Sequence, residues 1–118
     1  MKYFHADEFR CQHCGKLGIE DRFAELMDKI REDCGFPILI SSGYRCAEHP
    51  IEKAKLKQGA HTTGLASDLA VTGEQALKVV EIALKHGVRR IGVNQKGSSR
   101  FIHLDIADGF PQPTIWSY

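Results

Sequence analysis

The sequence predicts an α+β domain with a small, largely antiparallel sheet packed with two main helices. Three observations lead there. Two segments carry apolar residues at helical spacing, several short runs have strand length and strand patterning, and the last two of these can pair as a hairpin. A chain of 118 residues has room for one domain with its own core and too little for two ordinary ones, so residues 1–118 are read as one unit.

Taken in order, the elements begin after a loop from Cys11 to Gly18. Asp21 is placed to cap a helix whose apolar positions Phe23, Leu26, Met27 and Ile30 form one stripe, with a stop near Cys34-Gly35. Pro37 opens the apolar run Ile38-Leu39-Ile40, read as a buried strand that feeds a loop at Ser41-Ser42-Gly43. From Tyr44 to Thr63 periodicity disappears, and the polar, Gly- and Pro-containing sequence predicts a long irregular segment of the kind that often carries function. Leu65 to Val71 alternates, with Asp68 on the same face as the small Ala66 and Ala70. Thr72 then caps a second helix with Ala76, Leu77, Val80, Ala83 and Leu84 inward and Gly87 as its stop. Strands over Arg89 to Asn94 and Arg100 to Ile106 flank a turn-rich NQKGSS. The terminal Trp116 and Tyr118 are expected to dock on the core.

Composition removes several function classes. A formal net charge of +1 gives no field for phosphate, which excludes a nucleic-acid binder that works by charge neutralisation. No apolar run approaches the roughly 20 residues of a membrane span, so membrane insertion is not expected. The opening MKYFHADEFRCQHCG is polar where a signal peptide is apolar. Synthesis in the cytoplasm without a signal peptide is the expectation, and so is a monomer. Of the four cysteines, Cys11 and Cys14 with the following Gly15 form half of a zinc knuckle. A closed site needs about four ligands, and no second CxxC or HxxxH follows. His13, Cys34 or Cys46 completes it only if the fold brings them there. Free thiols are the simpler reading in a reducing compartment.

Two stretches carry the chemistry. In His61-Thr62-Thr63-Gly64-Leu65-Ala66-Ser67-Asp68 a turn at Gly64 can bring an imidazole and a strand carboxylate onto one metal. In Phe101-Ile102-His103-Leu104-Asp105, alternation puts Phe101, His103 and Asp105 on one face, with His103 and Asp105 about 7 Å apart along the backbone. A packed histidine is the ordinary reading of either His alone. Asp68 resists it, because a carboxylate inside a sheet needs a cation or a metal. Two His and one carboxylate make the ligand set of a catalytic zinc that keeps a fourth place for water. Arg45, on the loop after Ser42-Gly43-Tyr44, is placed to clamp a peptide carboxylate or to support an oxyanion.

Ser42-Gly-Tyr-Arg45, followed by HxxGxAxD from His61 to Asp68 and FIHLD from Phe101 to Asp105, resembles the M15 family of zinc peptidases. The likeness is to small phage-associated members of the D-Ala-D-Ala carboxypeptidase and endolysin types, and runs from Glu8-Phe9-Arg10-Cys11 to near Trp116. It implies one Zn2+ on His61, Asp68 and His103, a supporting Arg45, and a Hedgehog-type α+β fold. It further implies peptidoglycan stem peptides as substrate, with hydrolysis of bonds next to D-amino acids by a metal-activated water. Delivery to the wall would then follow a phage-type lysis or injection route.

Three departures stand out. Gly59 occupies a place where the family often has Ser. Phe101 and Arg100 occupy the positions of the usual general base, and neither accepts a proton. Asp105 is therefore the replacement candidate for the base, or else a ligand, or a residue that orients His103, with Asp108 and Glu48 next in line. The segment Glu48 to Leu56 is more charged than the Gly- and Asn-rich loop of relatives. Tyr44, Trp116 and Tyr118 are expected to wall the cleft. A zinc-containing peptidoglycan-binding module or a phage structural part without catalysis is the alternative.

Overall fold

Patterning and punctuation translate into ten short elements. The computed structural model describes residues 2–55 and 58–118. A 3-10 turn at Ala6–Phe9 leads to α1 (Asp21–Cys34), β1 (Leu39–Ser42), the single turn α2 (Pro50–Lys53) and a second 3-10 turn at Ala60–Thr63. There follow β2 (Ala66–Ala70), α3 (Gly73–Lys85), β3 (Arg90–Asn94), β4 (Phe101–Asp105) and β5 (Thr114–Ser117). One sheet of order β1-β2-β4-β3-β5 results, antiparallel throughout except where β3 and β5 run parallel. The α+β class and the largely antiparallel sheet are as the sequence predicts.

Strand alternation divides the sheet into two faces. Leu69, Ile91, Ile102 and Leu104 are buried in one core with Phe23, Met27 and Ile30 of α1 and Val79, Ile82 and Ala83 of α3. The opposite face carries Asp68, His103 and Asp105. Gly35, at φ 76°, closes α1, and its N–H bonds to the Arg31 carbonyl.

Four expectations need correction. Asp21 is the first residue of α1 rather than its cap; Glu20 takes the cap position, held by its N–H on the Gly64 carbonyl. β1 is not a buried strand: it lies at the sheet edge, pairs with β2 alone, and leaves Leu39 70 % exposed. The inner stripe of α3 is Ala76, Val79, Ile82 and Ala83, while Leu77 and Leu84 face outward. Apolar residues surround most of this helix, so counting them did not fix its rotation; the sheet does. The irregular stretch from Tyr44 to Thr63 contains α2 and a 3-10 turn, and Leu56 at the end of the charged segment lies outside the described residues. At the C-terminus Trp116 arrives on a fifth strand, and Tyr118 follows directly after it.

Candidate metal centre

Three elements build the centre. Gly64, in the left-handed region at φ 77°, ends the 3-10 turn that carries His61 and hands the chain to β2. In the sheet register Asp68 of β2 stands opposite His103 of β4. Asp68 Oδ1 lies 3.3 Å from His61 Nε2 and 3.0 Å from His103 Nδ1. One ligand atom from each of the three residues falls within 4.8 Å of the other two, and all three side chains are buried. The His61, Asp68 and His103 set read from the sequence is thus brought together.

The second nitrogen of each imidazole is also held. His61 Nδ1 lies 2.7 Å from the Gly43 carbonyl, which accepts its proton and leaves Nε2 with a lone pair toward Asp68. His103 Nε2 lies 2.6 Å from Asp105 Oδ2, which likewise leaves Nδ1 toward Asp68. Burial opposes the charge on Asp68, yet the hydrogen bonds and charges of His103 and His61 hold its pKa well below the usual carboxylate range. Burial lowers the His103 pKa, and Asp105 and Asp68 more than offset it, so the net shift is upward. Two nitrogens and a carboxylate, with the histidines fixed from behind, fit a zinc ion.

Over residues 2–105 the sequence matches the peptidase M15 family. The chain belongs to that family. M15 proteins are zinc peptidases, and the match spans His61, Asp68, His103 and Asp105. Comparison with curated proteins gives no match. Trp116 and Tyr118 lie beyond the matched residues.

In this M15 peptidase the remaining predicted residues have distinct places. Asp105 is 1 % exposed and sits behind His103, not in the cleft. Its Oδ1 accepts from Arg90 Nε at 2.8 Å and from the Ala107 N–H at 3.2 Å, while Oδ2 is occupied by His103. Of the three roles expected of it, this buried place beside His103 fits the one that orients the imidazole, and it is not the cleft position a general base would take. Strand alternation had given Asp105 the right face but not its depth. Asp108 and Glu48 are exposed, and neither lines the cleft. Arg45 is inside the site, with Nη2 3.6 Å from Asp68 Oδ2, Nη1 3.2 Å from Glu52 and Nε 3.2 Å from Ser42 Oγ.

The expected wall is partly reassigned. Trp116 leans on His103 at a tilt of 52° with ring centroids 5.2 Å apart, and Tyr118 meets Phe101 edge-on at 5.1 Å; both line the cleft. Burial raises the Tyr118 pKa. Tyr44 does not line it. Its ring lies over Gly18, which has no Cβ to block it, with Lys16 at 5.8 Å.

Sequence reasoning missed Gly43, Glu52, Arg90 and Gly92. A Cβ on Gly92 would come 2.7 Å from Trp116 Nε1, so only glycine lets the indole reach His103 across β3. Glu52, 1 % exposed, gathers Arg45, Lys55 and the Gly59 N–H onto one carboxylate. A lone acid within a charged stretch gave no sign of this. Arg90 carries the only available hint, a cation at a strand position that alternation turns toward the Asp105 face.

Proposed function

We propose that this M15 peptidase hydrolyses internal bonds of peptidoglycan stem peptides. The observation that carries the reading is the His61, Asp68 and His103 convergence, with each imidazole fixed from behind. Zinc held there would polarise the scissile carbonyl and lower the pKa of the attacking water. Asp105 keeps His103 in the tautomer that offers Nδ1, and Arg90 offsets the Asp105 charge. Arg45 places a cation beside Asp68, where negative charge develops on the carbonyl oxygen.

An open passage on both sides of Asp68 supports an endopeptidase. One groove of about 510 Å³ reaches from Ser41 and Ser42 to Ser99. The other, of about 390 Å³, reaches from Gly59 to Trp116 and Tyr118. Arg45, Ile51, Asp68 and Phe101 border both. Mass spectrometry of purified sacculi and synthetic stem peptides after digestion tests this. Internal cleavage abolished by a chelator and restored by zinc is the expected result; release of terminal D-alanine alone would overturn the endopeptidase reading.

One observation favours a second reading. Among the described residues, Asp68 is the only carboxylate lining the groove that contains His61 and His103. A zinc-bearing module that binds peptidoglycan without cutting it needs no further proton acceptor. Sacculus binding by the zinc-loaded protein with no cleavage product would decide for that reading.

A further inference from the structure

We infer that Cys11, Cys14 and Cys46 form a second, structural metal site, a three-thiolate zinc site separate from the His/Asp/His centre. The three Sγ atoms lie within 4.8 Å of one another. Tetrahedral zinc with bonds of about 2.3 Å places its sulfur ligands roughly 3.8 Å apart, so the cluster needs only a small contraction to close on an ion.

The backbone around the thiols has the form that such a site requires. Cys11-Gln12-His13-Cys14-Gly15 is a closed knuckle, in which the Gly15 N–H bonds to the Cys11 carbonyl at 2.8 Å and the Cys11 N–H to the Lys16 carbonyl at 2.9 Å. Gly15 takes φ 76°, which turns the chain back after the second thiol. The Cys46 N–H donates to Cys11 Sγ at 3.4 Å, which ties the loop after β1 to the first thiol of the knuckle.

Cys46 arrives from the loop after β1, so the sequence spacing concealed it. A second hydrogen-bonded turn follows, closed by the His49 N–H on the Cys46 carbonyl at 3.0 Å. His49 itself is not one of the converging residues, so the fourth tetrahedral place is left to a ligand other than these three thiols. Cys34, the remaining thiol, lies at the end of α1 and takes no part.

The position gives the site a task. Gly43 and Arg45, which serve the catalytic centre, precede Cys46 on the same loop. The Tyr44 N–H bonds to the Phe9 carbonyl, and the Arg45 N–H to the His61 carbonyl. A metal bridging Cys11 and Cys14 to Cys46 would clasp the N-terminal turn to this loop across 35 residues of chain.

Metal stoichiometry on the full chain, purified under reducing conditions with zinc, tests the inference. The wild-type chain is expected to hold two zinc equivalents. A His61→Ala/His103→Ala variant is expected to hold one, and X-ray absorption of that remaining zinc should show three sulfur neighbours near 2.3 Å. Cys11→Ser/Cys14→Ser should also lose one equivalent. Should this variant not fold, cobalt loading of the His61→Ala/His103→Ala chain gives the same information through sulfur-to-cobalt charge-transfer absorption. No sulfur neighbour in either spectrum, or a disulfide joining two of the three cysteines in the metal-loaded protein, would overturn the inference.

Discussion

The two clusters, His61/Asp68/His103 and Cys11/Cys14/Cys46, are assembled in opposite ways. The first rests mainly on paired strands, with His61 added from the 3-10 turn before β2: Asp68 and His103 face each other in the β2–β4 ladder, and their orientation is inherited from sheet register. The second rests on turns, where the Cys46 N–H meets the Cys11 sulfur. One is buried beneath a cleft; in the other Cys14 is exposed. A sheet fixes side chains to within a pleat and keeps one side free for substrate. Turns wrap a ligand from several sides and leave little room for one. The comparison teaches that chemistry here belongs to the sheet and clasping to the loops.

The largest expected effect separates the two directly. Asp68→Asn removes an anionic ligand from the sheet centre, and peptidase turnover should fall to background while any zinc on the cysteines stays. Zinc analysis beside kinetics checks this; full turnover would break the contrast. Next comes Asp105→Asn. As a residue that orients His103, it should cost about 10–100-fold in metal affinity or activity. A general base would cost up to about 10⁴-fold in turnover with zinc retained. Leaving Arg90 without its buried partner should also destabilise the fold by about 3 kcal/mol, measured by denaturant titration.

A smaller effect is expected at Gly92. Gly92→Ala puts a methyl group 2.7–2.9 Å from Trp116 and the Tyr118 hydroxyl, so Trp116 must leave His103. Overpacking should lower stability by about 1–3 kcal/mol, and tryptophan fluorescence should report the displaced indole. Glu52 sharpens the comparison from between the clusters, since α2 follows the Cys46–His49 turn and holds Arg45. Burial raises its pKa, but the Gly59 N–H, Lys55 and Arg45 hold the net shift below the ordinary glutamate value. A depressed folded pKa stabilises above the unfolded value near 4.3 and loses that contribution as pH falls through the folded one. Glu52→Gln should therefore flatten the fall in Tm below about pH 4, while lowering Tm at pH 7. The smallest effect belongs to Cys34→Ala, which should leave zinc content unchanged; a lost equivalent would mean that the clasp had been drawn from the wrong thiols.

How much of this was legible follows the same division. Helical stripes and alternating runs gave α1, β2, α3 and the β3–β4 pair, because each obeys one period over several residues. The convergence of His61, Asp68 and His103 was legible because Asp68 and His103 sit at alternating positions in those strands. Lost were features that depend on depth and rotation. Asp105 shares its face with His103 but sits behind it, and Leu77 faces outward although its type suggests otherwise. Cys46 stood beside His13 and Cys34 as a partner for Cys11 and Cys14 with nothing to choose among them, since a loop closes over thirty intervening residues without any local pattern. Gly92 gave no signal because its contribution is the absence of a side chain.

Asp68, His103, Gly92 and Trp116 occupy one transverse row of the sheet, running from β2 through β4 and β3 to β5. A slip of one residue in any of these ladders would turn a member of the row to the helix face. The same slip would turn the strand's apolar residues, such as Leu69 or Ile102, out of the core, so burial and the row demand one register together. Metal binding to the correctly registered sheet adds RT ln(1 + [L]/Kd) to that state alone. An ion held by the row would thus reinforce the strand alignment that the core already selects, before any substrate arrives.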